Sequence, residues 1–242
     1  MEHESTPSTA SSKKRGSSMK MIIIAVVVLL LLGAGAYFAH SKGLLSVGAN
    51  QGKTVATVNG TAIHQRDVDI RFNQLKDTYT QQGANLQDAN VVSTIKKQIV
   101  DEIVNEELVL QDAQKQNITA TSAEVKNGLD QLAATAGSQD ALNKQMTQFG
   151  MTQNDLQETV RRNLILQKYI DAYTAKQNIT VSEAEVTQTY KAAVKGQPAS
   201  TTPALKDVHD QVEQTVRNQK VAQLILALVN QLKQNAKVQV LI

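Results

Sequence analysis

An uncharged apolar run from Met21 to Ala39 constrains this chain more than any other feature of its sequence. A helix rises about 1.5 Å per residue, so about 20 such residues cross the roughly 30 Å hydrocarbon core of a bilayer. Basic residues precede the run, namely Lys13, Lys14, Arg15 and Lys20. The positive-inside rule then places residues 1–20 in the cytoplasm and the rest of the chain outside it. We therefore predict a single transmembrane anchor over residues 21–39, with the lipid bilayer as its partner.

A cleavable signal peptide is the alternative interpretation of the same segment. Met21–Leu32 has the length of a signal-peptide apolar region, and Ala34-Gly35-Ala36 fits the small-x-small cleavage pattern. We favour the uncleaved anchor, and both interpretations export the remainder of the chain. The sequence then divides into a disordered cytoplasmic tail (1–20), the anchor (21–39), a linker (40–53) and an exported domain (54–242).

The composition of the chain favours long helices. Aromatic residues make up 3% of the chain, and there is no Trp. The chain has 3 Pro, and none of them lies between Pro7 and Pro198. A chain with so few helix breakers suits a mainly α fold better than a β-sandwich or an enzyme with many shaped loops. The net charge of +3 argues against nucleic acid as a partner, because phosphate binding needs clustered basic residues. The lack of Cys excludes disulfides, thiol catalysis and a lipid-modified Cys anchor.

Apolar spacing and capping residues predict a series of helices in the exported domain. The first begins after Ile63-His64, with Val68, Phe72 and Leu75 on one side. The next two cover about 88–116 and 121–137, the latter opened by a capping box at Thr121–Glu124. A short fourth helix ends near Gly150, and a fifth runs from Thr152 or Asn154 to Lys176. A sixth begins with a capping box at Ser182–Glu185 and ends near Val194, and the seventh covers 205–235. The loop 195–204 separates the last two.

A tetrapeptide occurs twice, as Gln116-Asn-Ile-Thr119 and Gln177-Asn-Ile-Thr180, each followed by one of the two capping boxes. The echo is either the trace of a duplication or two helix starts that use the same chemistry. We favour the second interpretation, since hydroxyl and acidic residues at this spacing are the usual way to begin a helix.

Two strand-like runs lie at opposite ends of the exported domain. Thr54–Val58 is rich in β-branched residues and is closed by Asn59-Gly60, a strong turn signal, and Lys237–Ile242 alternates as a strand does. Because an unpaired strand edge is a liability, we predict that these two runs pair in a small two-stranded sheet. That pairing would hold the last helix against the first.

The order of several motifs resembles the SurA N-terminal domain family of bacterial SurA/PrsA-like chaperones. Val55–Gly60 followed by Ile63 and Asp67-Val68 is similar to the opening of that domain, and Ile99–Leu110 to its second helix. Ile179–Val186 with Tyr190, and Leu205–Glu213 continuing to Leu224, are similar to the segments that flank a parvulin prolyl isomerase domain in the family. The resemblance covers about residues 54–242. It implies a mainly α, cradle-like chaperone domain on the outer side of a bacterial cytoplasmic membrane.

The chain departs from this family where the isomerase domain is expected. Only Lys195–Ala204 separates the two flanking segments, and such a short loop cannot enclose a substrate proline. We therefore expect no isomerase activity and no other enzymatic activity. The lipid-bearing Cys that usually anchors PrsA-like proteins is also absent, and the helix 21–39 would replace it.

Residues that carry catalysis, metal binding or nucleotide binding do not form a recognisable pattern. The four His are scattered at positions 3, 40, 64 and 209, and the chain contains no HExxH, nucleophile elbow or phosphate loop. A surface or capping role for His64 and His209 is favoured over a metal or acid–base site. Asp101, Glu102, Glu106 and Glu107 form a carboxylate cluster that we predict to be a solvated helix face. No cofactor, metal or catalytic residue is expected.

Apolar surface is the remaining means of binding. The larger side chains in the middle of the domain are candidates for client contact, although for any one of them a core position is favoured: Met146, Phe149, Met151, Leu166, Tyr169, Tyr173 and Tyr190. We predict a membrane-anchored, ATP-independent chaperone that binds unfolded or nascent exported polypeptides. The alternatives are an envelope scaffold with one dedicated partner and a degenerate prolyl isomerase.

Overall fold

The computed structural model describes residues 52–198 and 202–242, and these ranges are mainly helical with one small sheet. The strands are β1 (Thr54–Val58), β2 (Thr61–His64) and β3 (Val238–Val240). The helices are α1 (Gln65–Gln81), α2 (Ala89–Lys115), α3 (Ser122–Ala136), α4 (Gln139–Phe149), α5 (Gln153–Ala175), α6 (Glu183–Val194) and α7 (Leu205–Gln234). The predicted helices are thus confirmed, with ends that agree to within about one or two residues, the scatter expected of any assignment.

Reciprocal caps fix where several of these helices begin. At α3, α5 and α6 the hydroxyl of Thr121, Thr152 or Ser182 accepts a hydrogen bond from the backbone N–H three residues on, and the carboxylate there bonds back. Thr152 and not Asn154 is therefore the cap of α5. At α1 the Asp67 carboxylate accepts from the His64 backbone N–H at 3.1 Å. These bonds satisfy donors that the first turn of a helix would otherwise leave unpaired.

Within the described ranges, β1 is the central strand of an antiparallel sheet ordered β2–β1–β3. The two outer runs of the exported domain pair with each other, as predicted. Their paired residues are Ala56↔Val240, Thr57↔Gln239 and Val58↔Val238. The prediction of two strands is wrong, because residues 61–64 form a third. Asn59 and Gly60 have φ of 52° and 88°, the left-handed pair that folds a hairpin back on itself. The sequence indicated the turn, but the strand that follows it, β2, was too short to be recognised.

α2 is the central helix of the core. One buried cluster joins it to the sheet and to α1 through Val55, Val58, Ile63, Val68, Ile99, Val100 and Val104. A second cluster joins the far end of α2 to α5 and α7 through Val109, Leu110, Ala113, Leu166, Tyr169, Leu228 and Val229. α3 packs on α5 and carries α4, whereas α6 packs chiefly on α7. α2 therefore fixes the positions of the elements from which the rest of the domain extends.

The predicted tail 1–20, the predicted anchor 21–39 and the linker up to residue 51 lie outside the described residues. Within the described ranges, no helix combines the length and the apolar character that a bilayer crossing requires. The anchor therefore stays a prediction from the sequence.

Asn59 ties the hairpin to the last strand and to α2. Its side-chain Nδ2 donates to Gln111 Oε1 at 2.7 Å, and its Oδ1 accepts from the Lys237 backbone N–H at 2.9 Å. Its backbone N–H also donates to the Lys237 carbonyl at 2.8 Å. Asn tolerates the left-handed conformation better than most residues. Asn59 therefore suits the turn through its backbone, and its side chain supplies the two hydrogen bonds.

We expect Asn59→Ala to lower the free energy of unfolding by about 1–3 kcal/mol, since it loses two side-chain hydrogen bonds and strains the turn. Urea unfolding of the two proteins would measure the change. The matched control is Asn127→Ala on the exposed face of α3, which should shift stability by less than about 0.5 kcal/mol. Equal midpoints for Asn59→Ala and the unaltered chain would contradict the role of Asn59.

Candidate functional site

An apolar cavity of about 180 Å³ lies between α1, α3, α4 and α5. Mostly aliphatic and aromatic side chains line it, with a few polar ones: Gln74, Leu75, Leu132, Leu142, Gln145, Met146, Phe149, Met151, Leu156, Thr159 and Val160. α4 packs mainly on α3 and α1. Its Leu142 and Met146 also meet Leu156 of α5 in one buried cluster, and all three side chains line the cavity.

Left-handed glycines set the position of α4. Gly137 ends α3 with φ 91°, and Gly150 ends α4 with φ 71°. Any side chain at these positions would strain the backbone. Between the two turns, Leu142, Met146 and Phe149 recur at four- and three-residue intervals and so share one face of the helix. That face is the part of α4 that lines the cavity.

A second depression of about 280 Å³ adjoins the cavity at Phe149. Its wall is more polar and consists of Gly52, Gln65, Arg66, Asp69, Ile70, Asn73, Phe149 and Gly150. Phe149 is only partly buried and lines both spaces. We call the cavity and the depression together the Phe149 groove. It offers an apolar pocket beside amide and charged groups, an arrangement that suits ligand binding.

The seven predicted client-contact residues lie in three separate places. Met146, Phe149 and Met151 meet in the Phe149 groove. Leu166, Tyr169 and Tyr173 belong to the core cluster between α2, α5 and α7, where Leu166 and Tyr169 are fully buried. Tyr190 lies on α6, and its hydroxyl donates to the Pro203 carbonyl at 2.7 Å. The structure therefore groups only the first three around one space.

The two core tyrosines have a structural role in this arrangement. The Tyr169 hydroxyl donates to Asp112 Oδ2 at 2.6 Å, and its ring stacks on that of Tyr173 with centroids 6.4 Å apart. Burial, together with the bond to Asp112, raises the pKa of the Tyr169 hydroxyl far above its ordinary value. The hydroxyl stays protonated at neutral pH and joins α5 to α2.

The predicted solvated face of carboxylates on α2 is wrong for two of its four members. Glu107 is 1% exposed and accepts from both Nη atoms of the equally buried Arg162 at 3.2 Å. Glu106 accepts from Arg71 Nη2 through both of its oxygens, at 2.9 and 3.0 Å. A further pair joins Arg66 of α1 to Asp155 of α5. In each pair at least one charge is withdrawn from water, and its partner compensates it.

The arginines were missed because each pair spans a long stretch of sequence. Arg162 lies 55 residues from Glu107, and Arg71 lies 35 residues from Glu106. One signal was available: Arg162 falls on the inward stripe of α5 with Thr159 and Leu166. A basic residue on a buried stripe requires a carboxylate partner, and the cluster on α2 was the natural candidate.

Asp67 lies beside this charge network, and no salt bridge joins it to another of the residues that the structure describes. Burial raises the pKa of its carboxyl from 3.8 to about 6, although the His64 N–H and the nearby Arg162 and Arg66 favour the charged form. A folded-state pKa above the unfolded value means that the folded protein binds the proton more tightly. Stability then falls as pH rises from about 4 to about 6 on account of this group.

We expect Asp67→Asn to raise the free energy of unfolding by about 1–3 kcal/mol at pH 7.5, because the amide avoids burying a charge. The gain should shrink as pH falls toward 4, where Asp67 is neutral. Urea midpoints at several pH values would measure it. Asp69→Asn, which removes a more exposed carboxylate paired with Lys96, should show no comparable gain. A pH-independent difference for Asp67→Asn would contradict the pKa assignment.

His64 lies at a helix end and His209 near the surface, as predicted for these two histidines. His64 is the N-cap of α1. His209 Nε2 lies 2.9 Å from Glu183 Oε2 across the α6–α7 contact, and the bonds to Glu183 and then Asp210 raise the pKa of His209. Within the described ranges, His, Asp and Glu side chains form no group arranged to hold a metal ion.

The repeated tetrapeptide forms the same structure twice. Asn117 and Asn178 adopt φ of 58° and 43°, and the capping boxes at Thr121 and Ser182 follow. In each copy a lysine from a packing helix donates to the last carbonyl of the tetrapeptide: Lys168 to Thr119 at 2.9 Å, and Lys220 to Thr180 at 2.7 Å. Both copies therefore begin a helix with the same capping chemistry, and the choice between a duplication and independent helix starts stays a prediction.

The same lysines complete both copies by pairing with the capping carboxylates. Lys168 reaches Glu124 and Lys220 reaches Glu185, each at 2.6 Å. These bonds, with those from Thr121 and Ser182, lower the pKa of each Glu to about 2. The lysines lay too far along the chain for the repeat itself to indicate them. α3 is in this way fastened to α5, and α6 to α7.

Comparison with known proteins places these features in a family. The family model described as the SurA-like N-terminal domain matches residues 11–169. Chaperone SurA of Saccharophagus degradans is 25% identical over 142 residues, which cover 58% of this chain and 32% of that protein. Chaperone SurA of Legionella pneumophila strain Lens is 23% identical over 176 residues, 72% of this chain and 39% of that protein. Foldase protein PrsA of Caldanaerobacter subterraneus subsp. tengcongensis is 27% identical over 143 residues, which cover 56% of this chain and 42% of that protein. The chain thus spans less than half the length of these relatives.

Proposed function

Because this chain belongs to the SurA-like N-terminal domain family, we propose that it is an ATP-independent chaperone that binds unfolded exported polypeptides and assists their folding. The observation that carries the proposal is the Phe149 groove. Met146 and Met151 are among the residues that line its apolar cavity, and a Met side chain can adapt to ligands of varied shape. The similarity to proteins named Chaperone SurA and Foldase protein PrsA supports the same class of activity.

The cavity has the size to take one large client side chain. An apolar cavity of about 150 Å³ is known to accept a benzene ring, and this one measures about 180 Å³. Burial of one Phe or Leu side chain contributes about 1.5–3 kcal/mol, whereas micromolar affinity needs about 8 kcal/mol. One filled cavity therefore gives weak binding, and a client must make further contacts.

Amide side chains around the groove supply such contacts without demanding a particular sequence. Gln74 and Gln145 line the cavity, and Gln65 and Asn73 line the adjoining depression. An amide can donate and accept hydrogen bonds, so it can pair with the backbone of any extended client. We propose that release follows from the weakness of these contacts, with no nucleotide involved.

Residues 21–39 give the proposed chaperone its location. We propose that they anchor the chain in a bacterial cytoplasmic membrane, with residues 54–242 on the extracytoplasmic side. Clients emerging from the export machinery would then meet the groove near the membrane surface. The mass of the mature protein distinguishes this anchor from a cleaved signal peptide.

Aggregation assays test the chaperone proposal. We expect the full-length chain, held in lipid nanodiscs, to suppress the aggregation of a chemically unfolded client without nucleotide. Failure at several-fold molar excess over the client would count against the proposal. Capture of one stoichiometric partner without any suppression would favour the scaffold instead, and turnover of a proline peptide would favour an isomerase.

Phe149→Ala should weaken client binding about 10- to 100-fold, which corresponds to the loss of about 1.5–3 kcal/mol of apolar burial. Titration of a fluorescent unfolded client would measure the dissociation constants. Tyr173→Ala is the matched control, because it truncates a partly buried aromatic ring of the core cluster on α5 that does not line the groove. Equal weakening by both variants would indicate a general loss of structure and not a client site.

A further inference from the structure

β3 presents an open backbone edge. The sheet order β2–β1–β3 leaves one side of β3 unpaired within the described ranges. Leu241 N–H donates to the Val55 carbonyl, and the Lys237 carbonyl accepts from Asn59 N–H, both at 2.8 Å. Odd-numbered residues of this segment therefore bond toward β1. In an antiparallel pair the residues between them direct their N–H and C=O groups the other way, so Val238 and Val240 point these groups out of the sheet.

The side chains along this edge are unusually apolar for an exposed strand. Val240, Leu241 and Ile242 are 48%, 56% and 40% exposed. Proteins protect a strand edge with Lys, Pro or a bulge, or by keeping the strand short. β3 is short, with three residues, but Lys and Pro are absent from Val238 to Ile242 and the β1–β3 pairing has no bulge. The exposed ladder and the apolar side chains together form a template for another strand.

We propose that the outer edge of β3 binds an extended segment of an unfolded client by strand addition. The proposal rests on the proposed chaperone function and adds a second contact region to it. The chemistry identifies the occupant: alternating donors and acceptors spaced as in a strand are complementary to the backbone of any extended polypeptide. Val240, Leu241 and Ile242 would cover the apolar side chains of that segment. The edge therefore selects an extended conformation and not a sequence.

Val240→Pro tests the edge with little disturbance of the sheet. Pro removes the outward N–H of residue 240, which the β1–β3 pairing does not use, and Pro is tolerated on edge strands. Val240→Thr is the matched control, because it keeps the N–H and a β-branched side chain. The probe is a short peptide of alternating Val and Thr, and a twin that is N-methylated at alternate amides. We expect Val240→Pro to weaken binding of the first peptide about fivefold, the equivalent of one hydrogen bond. Val240→Thr keeps the N–H and loses only part of the apolar contact, so it should weaken binding less than Val240→Pro does.

Hydrogen exchange gives a readout that is independent of the variants. The Val240 amide of the full chain should exchange freely and become protected when the peptide binds, whereas the Leu241 amide should be protected throughout. The N-methylated twin should neither bind nor protect Val240. Unchanged exchange at Val240 with the unmodified peptide bound would overturn the proposal. So would a dimer in light scattering that Val240→Pro converts to monomer, since a second copy would then be the occupant.

The two binding regions can be judged separately. If Phe149→Ala weakens binding of the unfolded client and Val240→Pro does not weaken binding of the peptide, strand addition fails and the Phe149 groove stands. If Val240→Pro weakens peptide binding and Phe149→Ala leaves client binding unchanged, strand addition at β3 is supported and client binding in the Phe149 groove is contradicted. An unaltered chain that suppresses no aggregation and binds no peptide overturns both proposals.

Discussion

A buried ion pair between Arg162 and Glu107 lies at the centre of the contacts that join the helices to the sheet. Both side chains are withdrawn from water, so neither is stable there without the other, and removal of one partner of such a pair costs about 3–5 kcal/mol. The second oxygen of Glu107 accepts from Gln111 at 2.9 Å, and Gln111 in turn donates to the Val58 carbonyl and Thr61. One ion pair thereby joins α5, α2 and the sheet.

The other charge pairs extend this frame to the walls of the Phe149 groove. Arg71 holds α1 against α2 through Glu106, and Arg66 joins α1 to Asp155 at the start of α5. α1 and α5 are two of the four helices that enclose the cavity. The third wall, α3, is fastened to α5 by Lys168. The fourth wall, α4, contacts its neighbours through the apolar side chains of Leu142 and Met146.

Local patterns predicted the helices well, because their causes are local. Hydroxyl and acidic residues at the capping positions, glycines at the ends and apolar spacing all act within one or two turns. β2 was missed because it is only four residues long. The positions of Glu106 and Glu107 were missed because the arginines that pair with them lie 35 and 55 residues away. Of the seven proposed contact residues, only Met146, Phe149 and Met151 line the Phe149 groove. The sequence gives the size and polarity of a side chain but not the residues that it contacts in the fold.

The sequence by itself determined the order and ends of the helices, the pairing of the outer strands, the family and the apolar run 21–39. It could do so because these follow from short-range chemistry or from the order of motifs along the chain. The tertiary structure alone decided which carboxylates are buried, which aromatic side chains belong to the core and where a cavity remains. These depend on residues far apart in sequence that must meet at distances of a few ångströms, and on how completely helices of fixed length fill the space between them.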